Sequence, residues 1–489
     1  MGIIINQSIK NTVFTYLGFI LGAFNVLFLY TYFLSDEYHG LLAFIIATAT
    51  IMLPFISLGV HNAIIRFYST FDSKKEVNSF MTLMTLIPLI NILILILIGF
   101  TSMNFISSLL PENEYINKIN IWAIIIISSS LSYFEVFYSF VKVKLDSVFG
   151  NFLKEIFHRI CIFILIFFIH FNFIDEQGFI IAVVVVFILR ALIMMIYALQ
   201  RNMFKLSINK SIKFRDIFSY LFVICLAGAV ANIILEVDKF MIGKYLDISQ
   251  VAYYTVAIYI CSIITVPRRA LFQIANPLSS KLLNENKFIE LNILYKKSSL
   301  NLLIICGLVF LLITINLSEI YSFIPKSYNK VTIVIYLISF TKLFNAILGS
   351  IDGIIFNSKY YSVVVYFGLL ITAITIYLNY LLIPIYGLEG AAFSSCIAFC
   401  VYNSFKLYLV YSKFSLNPFS KNSFIVLLLI LICFVFSVYF SLNFNVYLNI
   451  IIQTILITLV YSFVVIYFNL SEDISKILSS LYNKKTLQR

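Results

Sequence analysis

Of the 489 residues, 62% are hydrophobic and 11% charged, under half of the roughly 25% charged fraction usual in soluble domains. That balance leaves too little polar surface to face water, which excludes a soluble enzyme. The formal net charge is +12, from 34 Lys and Arg against 22 Asp and Glu. The basic residues are spread over many connections and not gathered on one face, so no nucleic-acid partner is expected.

The start, MGIIINQSIK, has no small-residue cleavage site, and its apolar stretch is too short for a secretory leader. Asn6 stands where N-myristoylation needs Ser or Thr. Beyond it, apolar runs of about 20 residues recur, each able to cross a hydrocarbon core of roughly 30 Å as a helix. Helices satisfy their own backbone groups, as lipid demands. The runs fall near 12–34, 41–66, 80–110, 119–141, 151–171, 178–200, 217–246, 250–279, 298–318, 331–356, 361–383, 388–411, 422–441 and 446–469. They predict an all-α integral membrane protein of about fourteen transmembrane helices.

Lys and Arg in the connections set the orientation. With the N-terminus inside, 27 of the 34 basic residues fall in cytoplasmic connections or nearby helix ends. Lys118, Lys239, Lys244, Lys326 and Lys330 fall outside, and Arg190 and Lys342 lie within helices. Both termini are therefore expected in the cytoplasm of a multi-pass inner-membrane protein. The connections 201–216 and 280–297 are basic and amphipathic, and are expected to lie along the headgroups. The outer connections are too short to hold a periplasmic domain.

The stretch YTYFLSDEYHGLL (30–42) resembles IGKYLDISQVAYY (242–254), and each leads into a long helix with a proline, Pro54 or Pro267. This suggests two parallel repeats. The expected organisation is a six-helix bundle over 1–209, a second over 210–412, and two extra helices with a cytoplasmic tail over 413–489.

A charge inside a bilayer is costly unless it meets a partner or a wet cavity, so intramembrane charges are functional candidates. At 1.5 Å per residue, Lys342 lies roughly 16 Å into helix 10 and Arg190 roughly 18 Å into helix 6. Arg268 and Arg269 follow Pro267 in helix 8, and Asp352 lies towards the inner end of helix 10. Glu135 and Arg159, on helices 4 and 5, suggest an interhelical ion pair. Asp238 and Lys239 interrupt helix 7 and, with Glu135, Arg159 and Asp352, are candidates for gating or ion pairs. Arg190 suits a cavity, snorkelling or a backbone contact, and Arg66 either a cavity or lipid phosphates. Arg268, Arg269 and Lys342, with Arg66 and Arg190, suit an anionic ligand: Arg grips phosphate oxygens in a fork, and Lys acts as a point charge. His39 and His170 fall at outer helix ends and are expected at the interface. Neither the His nor the seven Cys show ligand spacing, so no metal is expected. No glycine-rich phosphate loop follows a strand, which argues against ATP hydrolysis and leaves no cofactor to expect.

Four segments carry a resemblance. NYLLIPIYGLEGAA (379–392), FLSDEYHGL (33–41), DKFMIGKYL with VAYYTVA (238–246, 251–257) and VPRRALFQIANPL (266–278) occur in order at the corresponding helices. They resemble the polysaccharide-biosynthesis exporters and O-antigen-type flippases of the multidrug/oligosaccharidyl-lipid/polysaccharide superfamily. The resemblance implies a MATE-like fold of two six-helix bundles around a central cavity, here with two C-terminal helices added. It further implies a flippase that moves an oligosaccharide on undecaprenyl pyrophosphate across the inner membrane by alternating access, among membrane lipids and other polysaccharide-assembly proteins. It implies cavity cations that receive the pyrophosphate. No coupling-ion site can be matched. The alternatives are a multidrug or metabolite antiporter, which would want acidic cavity residues, and a membrane glycan polymerase or ligase, which would need a large catalytic periplasmic loop.

Overall fold

The computed structural model describes residues 2–71, 73–101, 115, 118–201, 207, 214–439 and 444–474. Most of the 201–216 connection and the tail beyond residue 474 lie outside the described residues. Every regular element among those described is helical. The chain divides into two compact units. Unit 1 comprises Met1–Thr255 with Ile376–Ala391, and unit 2 comprises Val256–Thr375 with Ala392–Arg489. The helices are α1 (Gly2–Phe24), α2 (Tyr30–Phe33), α3 (Asp36–Ser57), α4 (Val60–Phe67), α5 (Lys74–Thr101), α6 (Lys118–Lys142), α7 (Val148–Phe152), α8 (His158–His170), α9 (Glu176–Arg201), α10 (Phe214–Tyr245) and α11 (Ile248–Ser262). They continue as α12 (Val266–Asn284), α13 (Phe288–Ile315), α14 (Leu317–Tyr321), α15 (Thr332–Ile347), α16 (Ile351–Phe356), α17 (Tyr361–Phe414), α18 (Lys421–Tyr439) and α19 (Val446–Tyr467). Among the described residues, ten spans are long and apolar enough to cross a membrane.

The helices are apolar on the outside and partly polar within, the reverse of a soluble bundle and the pattern that lipid imposes. In α19, Leu448, Ile451, Ile455, Leu459 and Phe463 are exposed, whereas Asn449, Gln453, Ile457 and Tyr461 are buried at four-residue spacing. Its buried polar side chains bond inside the unit: Asn449 and Gln453 donate to Glu319, and the Tyr461 hydroxyl donates to the Ile304 carbonyl at 3.1 Å.

Several apolar runs that read as single helices are interrupted. The run 41–66 breaks between α3 and α4, where Leu58 (φ 45°) and Gly59 (φ 70°) are left-handed. The run 331–356 breaks between α15 and α16, at Gly349 (φ 57°). A π-helical turn at Leu153–Phe157 joins α7 to α8, and a 3₁₀ turn at Ile263–Thr265 precedes Pro267 at the start of α12. The 280–297 connection is not a separate surface segment: α12 continues to Asn284 and α13 begins at Phe288. The apolar periodicity simply runs on through the basic residues.

In α17, Gly387 adopts φ 59°, ψ −134° and kinks the helix. L-residues rarely adopt that conformation, and an added Cβ would meet nothing within 4 Å. Gly387→Ala should therefore cost about 1–3 kcal/mol from backbone strain alone. Thermal unfolding in detergent should show a lower midpoint; an unchanged midpoint would mean the kink is not needed.

Along α3, unit 1 is closely packed against α10 and the start of α11. A Cβ on Gly40 would lie 1.9 Å from the Ile248 carbonyl oxygen. Phe44 stacks on Phe240 at 5.7 Å. Asn232 donates to the Thr50 carbonyl at 2.9 Å, and the Tyr253 hydroxyl donates to Asp36 Oδ2 at 2.7 Å. The two segments of similar sequence, 30–42 and 242–254, thus meet at this seam.

Candidate functional site

The α3–α4 break opens the wall of a cavity of about 480 Å³ inside unit 1. It lies towards the end of the bundle where α6 finishes at Lys142. The break presents His61 and Asn62, α6 presents Glu135, the π-helical turn presents Lys154 and Glu155, α8 presents His158 and Arg159, α9 presents Arg190, and α10 presents Asn232.

Two ion pairs cross or border this space. Lys154 Nζ donates to Glu135 Oε1 at 2.5 Å, and Arg159 Nη1 donates to Glu155 Oε2 at 3.1 Å. The expected Glu135–Arg159 pair is therefore corrected: each residue has a different partner. The π-helical turn is the reason, because its one extra residue shifts the register of the α8 side chains beyond it. Lys154 faces α6, while Arg159 lies against Gly18 and Gly22 of α1, where an added Cβ would fall within 2.9 Å of its side chain.

Arg190 sits near the middle of α9 and is 4% exposed. Its guanidinium lies 4.5 Å from the Phe134 ring centroid and 5.0 Å from that of Phe187. Its Nε is buried and has no hydrogen-bond partner, and the same holds for Nδ1 of His61 and of His158. The cavity thus holds three cations and two carboxylates, with both carboxylates already paired to Lys154 and Arg159. One buried guanidinium and unsatisfied ring nitrogens remain, a set suited to an oxyanion.

Arg66 is placed elsewhere: it is exposed and stacks 4.4 Å from the Tyr220 ring centroid. In the same unit, Lys239 pairs with Glu236 at 2.7 Å. Asp238 is buried, accepting from the Tyr254 hydroxyl at 2.7 Å and from Asn379 at 2.8 Å. His39 is buried against Tyr30, not presented at an interface, because Gly40 beside it draws α3 against Ile248.

In unit 2, Asp352 accepts from Arg268 and, at 3.0 Å, from Lys406. Arg269 is exposed. Lys342 Nζ lies 6.0 Å from the Phe399 ring centroid. Sequence reading misses Lys406 because it groups with the helix-end lysines. Its position eight residues before Phe414, the end of α17, would mark it as an intramembrane charge by the depth argument applied to Lys342.

A family model described as "Polysaccharide biosynthesis protein" matches residues 8–283. No curated protein matches the sequence. Among solved structures, the chain is similar to the lipid II flippase MurJ in an inward closed conformation, at a TM-score of 0.72 and 18% identity, covering 95% of this chain and 100% of that one. It is also similar to a mutant of the MATE transporter VcmN of Vibrio cholerae, with a TM-score of 0.56, 15% identity and coverage of 84% and 98%. A third similar structure is a MOP superfamily transporter from Pyrococcus furiosus described as having a binding pocket of reverse polarity, with a TM-score of 0.54, 13% identity and coverage of 84% and 95%. These likenesses establish the fold, an all-helical membrane architecture of the MATE and MurJ kind.

Proposed function

The chain belongs to the polysaccharide biosynthesis protein family, and from that premise we propose that it is a flippase for an oligosaccharide carried on undecaprenyl pyrophosphate. It would move a surface-polysaccharide repeat unit, such as that of O-antigen or capsule, from the cytoplasmic to the periplasmic leaflet of a bacterial inner membrane. Arg190 carries the reading. A guanidinium 4% exposed, with Nε unpartnered, borders a cavity whose own carboxylates are engaged. A diphosphate crossing hydrocarbon needs such a group, because an unpaired charge in a low-dielectric medium is costly. Arg268, Arg269 and Lys342 supply further cationic contacts from the second half of the chain.

The basic bias of the connections puts both termini in the cytoplasm, so the cavity lies in the cytoplasmic half, where the substrate enters. Residues 1–209 and 210–412 would act as the two repeats of an alternating-access cycle, with 413–489 added beside them. The charge balance of the cavity disfavours a cationic drug, which would want uncommitted carboxylates. Catalysis plays no part in this reading, and other polysaccharide-assembly proteins would receive the flipped product.

The test is flipping of a fluorescent polyprenyl-diphosphate oligosaccharide in proteoliposomes. Transport of that lipid, unaffected by excess cationic drug, is the expected result. Drug efflux without lipid flipping would replace the reading with an antiporter.

A further inference from the structure

Asp352 stands at the centre of an unusual balance of charge. Its two oxygens are occupied by Arg268 from α12 and Lys406 from α17, so two cations share one anion and a positive charge is left over. Around this triad are buried polar atoms with no hydrogen-bond partner: Arg268 Nε, the Tyr295 hydroxyl and both ends of the Asn403 carboxamide. Tyr295 is 0% and Asn403 1% exposed. Asn403 lies one turn before Lys406 on the same helix face, and Tyr295 is close enough to feel the charge of Asp352. Native interiors satisfy nearly all such atoms, because one left unmade gives up its hydration with nothing in return. Several unsatisfied groups beside a surplus cation mark a place built for a ligand with more oxygens than one carboxylate provides.

Asp352 is also carried on a short helix set off from its neighbours. It lies on the six-residue α16, separated from α15 by Gly349 at φ 57° and ended by Asn357. Discontinuous membrane helices of this kind typically form substrate sites. Unit 1 holds a comparable charge pair beside a cavity: Glu135 on α6 is ion-paired to Lys154 on the cavity wall.

We propose that Arg268, Lys406, Tyr295 and Asn403 form a diphosphate-binding site in which Asp352 serves as an exchangeable internal counter-anion. The carboxylate holds the two cations until the ligand displaces it, and α16 moves aside with it. A singly charged anion gains nothing by this exchange, because a tethered carboxylate competes at high effective concentration. A diphosphate brings enough charge for both cations and enough oxygens for the Tyr295 and Asn403 donors, and the Arg268 fork can take two of them. The inference rests on the flippase reading for the origin of the diphosphate, but not for the existence of the site.

The experiment uses the full chain in nanodiscs, in an Arg190→Met background so that the unit 1 cavity adds no signal. Binding of inorganic pyrophosphate and of farnesyl diphosphate is measured by titration calorimetry. Asp352→Asn should bind pyrophosphate at least tenfold more tightly than the background, and adding Lys406→Gln should remove that gain. A gain with both probes assigns the site to the diphosphate itself; a gain with farnesyl diphosphate alone assigns it to the lipid-linked form. No gain with either, or a gain that survives Lys406→Gln, overturns the proposal. Should Asp352→Asn not fold, Lys406→Gln alone decides, since it leaves a balanced Arg268–Asp352 pair. It should weaken pyrophosphate binding at least tenfold, and unchanged binding overturns the proposal. Pyrophosphate binding with no lipid flipping by the native chain would refute the flippase reading and leave this site standing.

Discussion

Arg190→Met is expected to lower lipid flipping at least tenfold and, at the same time, to raise the thermal stability of the protein. The two effects have one origin. Two aromatic contacts at 4.5 and 5.0 Å hold the guanidinium, each giving about 0.5–2 kcal/mol. Burial of a charge without a hydrogen-bonded counter-ion costs several kcal/mol, and burial therefore wins. Methionine keeps the length and the contact with Phe134 while discarding that cost. The loss of transport comes from removing charge-assisted hydrogen bonds to a phosphate, about 1.5–3 kcal/mol each, where about 1.4 kcal/mol is a factor of ten. Arg190→Lys should recover transport only in part, since the ammonium lacks the planar fork. Flipping rates in proteoliposomes and unfolding midpoints in detergent check both arms. A less stable Arg190→Met with normal transport would make the residue a structural cation stacked on Phe134 and Phe187.

Most of the architecture was legible because lipid simplifies the sequence code. Apolar runs long enough to span, separated by basic connections, leave little choice but helices, and the order of the four resembling segments names the fold. The interruptions were less visible. Leu58 and Gly349 break helices by turning left-handed, and nothing in the hydropathy of 41–66 or 331–356 signals it. The π-helical turn at Leu153–Phe157 was hidden in the same way, and it is what diverts Arg159 to α1 and leaves Glu135 to Lys154. Depth along a helix could be reckoned from residue counts, and Arg190, placed deep by that count, is buried among its neighbours. Direction around the helix could not be read, because a helix apolar on every side gives no inward face. Thus Arg66, reckoned near a helix end, is exposed over Tyr220, and Arg268 turned out to be bound to Asp352.

The seam between α3 and the α10–α11 corner leads to the other large expected effect. Gly40 meets the Ile248 carbonyl so closely that a methyl group would lie 1.9 Å from the oxygen, whereas ordinary contact begins at 3.4 Å. Backbone cannot rotate away as a side chain does, so Gly40→Ala must push the two segments apart by about 1.5 Å, the difference of those distances. Beside it, the Tyr253–Asp36 hydrogen bond spans 2.7 Å and cannot survive that displacement, since such contacts weaken steeply beyond about 3.5 Å. If the proposed flippase works by alternating access with its N-terminus inside, this seam lies at the periplasmic end and parts for the substrate to leave. Gly40→Ala should therefore favour the parted state and slow the return. A chain carrying Asp36→Cys and Tyr253→Cys should be bridged readily by a bifunctional maleimide long enough to replace the tyrosine side chain, and adding Gly40→Ala should cut that yield at least fivefold, a shift of about 1 kcal/mol by RT ln 5. Lipid flipping should fall alongside it, while the amount of inserted protein stays the same. Undiminished cross-linking would show that the seam absorbs the methyl group by local relaxation, and that its closeness serves packing and not the transport cycle.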